Sequence, residues 1–158
     1  MLEQFFIDME QWPISKAIGE SLWIYPVDQA LHLVGMAFLL GAVMMVNLRL
    51  LGLGITKTSL AQVARSARPW FIGGMIFMIL TGLPQLMQNA SREYYSEYFW
   101  RKMYFLAASL VVTIISIRYM TRQPDSAGTT MGSKLTGAFS LLLWVNVIIP
   151  ARLIGLFT

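Results

Sequence analysis

Apolar positions in this chain gather into four long blocks, roughly 30–50, 70–87, 104–119 and 135–154. Each is near the ~17–25 residues that a helix needs to cross a hydrocarbon core. Gly35, Gly41, Gly82, Pro84 and Pro150 fall inside the blocks. Membrane helices tolerate such residues because neighbouring helices re-satisfy the freed backbone groups. The pattern therefore predicts an all-α integral membrane protein, a four-helix transmembrane bundle.

The first 22 residues follow another rhythm. Leu2, Phe5, Phe6 and Met9 share one helical face, with Glu3 and Asp8 off it, and Ile14, Ala17, Ile18 and Leu22 continue the spacing past Pro13. This predicts an amphipathic surface helix over 1–22, lying on the outer membrane surface and broken near Pro13. Between the first two blocks, "SLAQVARSAR" opens with a Ser59–Gln62 capping box and sets Leu60, Val63, Ala64 and Ala67 against basic positions. It reads as a short surface helix on the opposite side. "YYSEYFW" (94–100), with Trp23 and Tyr25, forms an aromatic belt at the outer interface, and "QPDSAGTTMGS" is a polar turn. No internal repeat separates soluble parts, so residues 1–158 read as a single membrane domain.

Composition agrees with the pattern. Of 158 residues, 56% are apolar and 13% charged, more apolar surface than a soluble domain of this size can hide. The absence of cysteine excludes disulfides and thiolate metal sites. The acidic start "MLEQFFIDMEQW" lacks a continuous apolar run before a small-residue site and does not read as a cleavable signal peptide.

Charge orients the bundle. The side with the N-terminus holds Lys16, Arg92, Arg101, Lys102 and Arg152 against seven acids. The other side holds Arg49, Lys57, Arg65, Arg68, Arg118, Arg122 and Lys134, opposed only by Asp125. The positive-inside rule then puts both termini outside, here outside the inner membrane of a bacterium. The net charge of +4 is spread over loops and forms no nucleic-acid-binding stripe.

The first block carries His32, the chain's single histidine, about a turn below the outer interface. Asp28 at i−4 and Met36 at i+4 share its helix face. A titratable group in a spanning segment is costly to bury, so it faces the bundle or a cavity and has a partner. Neutral imidazole ligates haem iron and copper, and Asp28 is positioned to accept the proton of the ring nitrogen left off the metal. In the bland alternative, His32 makes one hydrogen bond to a neighbouring helix and Asp28 only favours a helix N-terminus. Arg101 and Lys102, from "FWRKMYFL", and Arg152, from "VNVIIPARLIG", reach the same outer depth. They suit the propionates of a haem, or they snorkel to lipid phosphates.

These motifs also carry a resemblance. Leu31-His32, Gly41, Asn47-Leu48-Arg49-Leu50-Leu51-Gly52, Thr81-Gly82-Leu83, Phe99-Trp100-Arg101-Lys102-Met103 and Ala151–Gly155 resemble an uncharacterised family of small bacterial four-helix membrane proteins, a domain of unknown function. More distantly, the arrangement is similar to two other four-helix families. One is the membrane protoporphyrinogen oxidase of haem synthesis, in which a first-span histidine and a third-span lysine surround haem, matched here by His32 and Lys102. The other is the copper-resistance D proteins, implicated in copper handling. The chain lacks the oxidase family's further histidines and its arginine after a proline at the exit of the first span, so the oxidase activity is not carried over.

The leading expectation is a b-type haem protein working in electron transfer or haem handling. His32 is an axial ligand, with Lys102, Arg101 or Arg152 on the propionates. One histidine per chain makes bis-histidine ligation a property of a homodimer sharing a haem. Second stands a cofactor-free membrane subunit that binds a partner, with Gly35, Gly41 and Ala42 as close-packing positions. Third is a copper(I) site of His32 and Met36 with a methionine such as Met75 or Met78, though methionine is also ordinary bundle filler. A transporter is weaker still: Asn146 and Pro150 are compatible with a broken helix, but no inverted repeat accompanies them. No nucleophile–base pair or phosphate-binding loop is visible, so any chemistry belongs to a cofactor.

Overall fold

The computed structural model describes residues 1–157, without the side chains of Arg152 and of residues 154–157. Its order is α1 (Leu2–Gln11), α2 (Pro13–Glu20), α3 (Ile24–Leu51), α4 (Leu60–Gln88), α5 (Ala90–Tyr95), α6 (Glu97–Thr121) and α7 (Met131–Phe157). Helices α3, α4, α6 and the stretch 131–151 of α7 are long and apolar enough to cross a membrane. The fold is the expected all-α membrane bundle.

Local chemistry sets the boundaries. Trp12 is extended at φ −62°, ψ 145°, and Pro13 starts the next helix, so the break between α1 and α2 falls where proline restricts its predecessor. Helix α3 ends at Gly52, whose φ of 74° is left-handed; its N–H meets the Arg49 carbonyl while Leu53 N–H meets that of Leu48. The Ser59 hydroxyl caps α4 by accepting from Gln62 N–H at 3.2 Å.

The segment expected as a separate surface helix is instead the first turns of α4. One helix runs from Leu60 through Pro69 to Gln88. Leu60, Ala61, Val63, Ala64 and Ala67 are buried in the bundle core, so its apolar face is satisfied by protein and not by the membrane surface. The neighbouring charged groups sit outside this face, where Arg65 meets Asp125 at 3.8 Å.

The four long helices form a square. Helix α3 packs on α4 and α7, α6 packs on α7 and α4, and contact across the α3–α6 diagonal is slight. Gly74 lets α3 and α4 approach closely: a Cβ there would meet Leu39 backbone at 3.1 Å. Two apolar clusters result. The larger includes Leu39, Val43, Val46, Leu60, Met120 and Trp144 and fills the half near the α3–α4 loop. The smaller joins Phe6 and Met9 to Ala90 and Phe99 and caps the opposite end. There Glu10 accepts from the N–H and hydroxyl of Ser91, and Tyr95 donates to Glu3, tying α1 to α5. A polar space is left between the cap and the main core.

Candidate functional site

That space is a cavity of about 170 Å³ at the capped end of the square. His32 of α3, Gly82 and Gln85 of α4, Glu93 of α5, Lys102 of α6 and Ala151 of α7 all border it. Four spans and the short α5 therefore converge on one imidazole.

Helical spacing places the groups. Thr81 and Gln85 stand one turn apart on α4 and face α3 at the depth of His32 and Asp28. His32 Nδ1 lies 2.7 Å from the Thr81 hydroxyl oxygen. That hydroxyl is 2.8 Å from the Phe77 carbonyl, the back-bond that threonine makes in a helix. A hydroxyl has a single proton, and the carbonyl can only accept it. Thr81 therefore donates to Phe77 and accepts from His32, which assigns the proton of the neutral ring to Nδ1. Nε2 keeps its lone pair, and among the described residues no group hydrogen-bonds to it. Gly82 leaves the ring flank clear, since a Cβ there would stand 3.2 Å from Cε1.

The charged groups divide between wall and periphery. Lys102 and Glu93 both border the cavity, and Arg101, the neighbour of Lys102 on α6, is exposed. Burial raises the Glu93 carboxyl above its ordinary range, and the charges of Lys102 and Arg92 partly offset this. Tyr95, on the exposed side of α5, is raised as well, because its hydroxyl donates to Glu3.

Of the residues singled out in the sequence, His32 and Lys102 meet at one cavity. Asp28 is nearby but otherwise engaged: its Oδ2 accepts from Gln85 Nε2 at 3.0 Å, and the same amide reaches the Thr81 carbonyl at 3.2 Å. The Nδ1 proton goes to Thr81, so Asp28 is not the partner of the ring that its i−4 spacing suggested. Met36 is half-buried one turn further along α3. A second thioether is close to that depth, with Met78 Sδ 3.5 Å from where a Cβ on Gly35 would lie. The Arg152 side chain falls outside the described residues. Among the described residues, no group of three or more His, Asp or Glu is placed to hold a metal ion.

Gln85 and Glu93 were not singled out in the sequence, and Thr81 entered only as part of a motif. Thr81 and Gln85 have a readable signal: both are polar, at i and i+4, near the C-terminal end of the second block. Glu93 had none, because its approach depends on the turn between α4 and α5.

The family of unknown function DUF6644 matches residues 13–157, and the chain belongs to that family. No curated protein and no solved structure matches it.

Proposed function

Membership in that family brings no activity with it, so we propose from the geometry that the protein binds b-type haem at the capped end of the bundle. His32 Nε2 would hold the iron, and the reading is that of an electron-transfer or haem-handling membrane protein. One observation carries it: an imidazole whose Nδ1–H is fixed by Thr81 and whose Nε2 has no partner among the described residues is set up to ligate iron. The donor set fits the group. Lys102 offers a cation for a propionate, and Gly82 keeps the ring flank free. When bound, haem would supply one-electron chemistry; the chain's own part is to hold the imidazole tautomer, offer the cation and limit water.

A cavity of about 170 Å³ lies below the ~300–1,000 Å³ of pockets that enclose drug-sized ligands. A single chain thus encloses only part of a porphyrin and leaves the rest to lipid or a second copy. With one histidine per chain, this favours a homodimer sharing the haem. The basic α3–α4 loop favours a bacterial inner-membrane topology with both termini outside. The distant likeness to the protoporphyrinogen oxidase and copper-resistance D families supports a cofactor at the first-span histidine and no particular reaction.

The test is a reduced-minus-oxidised spectrum of the full chain, expressed with haem supply, together with its metal content. Sharp α and β bands that vanish in His32→Ala are the expected result. An undiminished spectrum in His32→Ala refutes the ligand. Copper without haem moves the reading to a thioether–imidazole site of His32 with Met36 or Met78. Lys102→Ala is expected to lower haem retention, and unchanged content and spectrum would remove its role.

A further inference from the structure

The exit motif of the first span is not used by the haem reading. Arg49 is only 6% exposed. Its Nε donates to the Thr58 carbonyl at 2.8 Å, and among the described residues no carboxylate pairs with it. A buried guanidinium has five donors in a planar fork, and one neutral carbonyl leaves most of that capacity and the whole charge uncompensated. Such a group calls for an anion with several oxygens.

The same face of α3 borders an apolar groove. Phe38 lies eleven residues before Arg49, close to three helical turns, so the two side chains share a face about 16 Å apart at 1.5 Å per residue. The groove, about 530 Å³, runs between α3 and α4 past Gly35, Phe38, Trp70, Gly73 and Phe77. Phe38 and Trp70 stack at 5.7 Å with their rings 12° apart. At Gly73 a Cβ would meet nothing within 4 Å, so this glycine leaves open space where Gly74 makes close packing.

We propose that Arg49 and this groove together form a site for one anionic phospholipid, taken from the leaflet that contains the α3–α4 loop. The guanidinium holds the phosphodiester, and an acyl chain lies along α3 over Gly73. An acid-free buried cation and an apolar channel on one helix face match the two ends of such a molecule. A second protein helix would offer no phosphate to Arg49.

The full chain, purified in mild detergent, is given equal phosphatidylglycerol and phosphatidylcholine of the same acyl composition, and bound lipid is read by native mass spectrometry. Wild type is expected to keep one phosphatidylglycerol per chain in preference to phosphatidylcholine. Arg49→Gln loses that preference by about tenfold, the low end for hydrogen bonds to a charged group. Arg49→Lys, with the charge but no fork, falls between them. Gly73→Phe, which fills the groove, loses both lipids. Equal binding of the two lipids by wild type overturns the proposal, as does full retention in Gly73→Phe. A dimer that Gly73→Phe converts to monomer with lipid unchanged makes the groove a contact between copies and overturns it too. Should Arg49→Gln fail to fold, Arg49→Lys and Gly73→Phe decide, since the latter meets no neighbouring atom at its Cβ.

Discussion

Thr81 has one hydroxyl proton, and giving it to Phe77 settles which nitrogen of His32 is free. Thr81→Val keeps the shape and removes the acceptor, leaving a part-buried N–H unpaired. The expected cost is about 1–3 kcal/mol, read as a lowered melting temperature, with weaker haem retention as the ring loses its fixed tautomer. A variant as stable and as well loaded as wild type would show that Thr81 does not hold the ring. Glu93 gives a pH test. Burial raises its folded pKa above the ordinary 4.5, so the stability associated with the neutral carboxyl is complete below that value and lost as pH rises through the folded one. Glu93→Gln should therefore be more stable than wild type at neutral pH and indistinguishable from it in acid. A gap that widens on acidification would contradict the burial argument. At this scale the sequence exposed His32 and Lys102, because a lone imidazole and a cation stand out against apolar blocks. The Gln85–Asp28 bond was hidden, since it depends on the register between α3 and α4.

Helix boundaries follow capping and proline chemistry wherever it is local, as at Trp12–Pro13, Gly52 and Ser59. The start of α4 differs from the separate surface helix its pattern suggests, because a basic amphipathic stretch looks alike whether lipid headgroups or protein cover its apolar face; the buried Leu60, Val63 and Ala64 distinguish the two. Adjacent glycines on α4 yield opposite forecasts for the same reason. Gly74→Leu drives a side chain into the Leu39 backbone, 3.1 Å from the Cβ position, and should collapse the α3–α4 packing, lowering expression and melting temperature sharply. Gly73→Leu meets open space and should fold normally. Equal behaviour of the two would mean that the helix contact is not where Gly74 puts it. At the cap, Glu10→Ala removes the acceptor of both Ser91 bonds and should loosen α1 by about 1–3 kcal/mol, seen as faster hydrogen exchange over residues 2–11 with the spans unchanged.

Taken whole, the molecule is dense at one end and holds a polar space beneath a thin cap at the other. The main apolar core fills the half beside the α3–α4 loop, and a thin cap built on Phe6 and Phe99 closes the other. His32 sits where neither cluster supplies a plug, so the bundle brings an imidazole and a lysine to one polar space. The number of long apolar helices is legible from block lengths; the square order of helices and the cap over the cavity are not, because both arise from contacts distant in sequence. The central claim is that His32 is a haem ligand and not a packing residue. The most direct test is chemical rescue: His32→Gly is purified with haem supply, and its spectrum is recorded before and after adding free imidazole. The account predicts loss of the α and β bands and their return with imidazole, which replaces the missing ligand without restoring the side chain's link to α3. Bands that persist in His32→Gly without imidazole would contradict it.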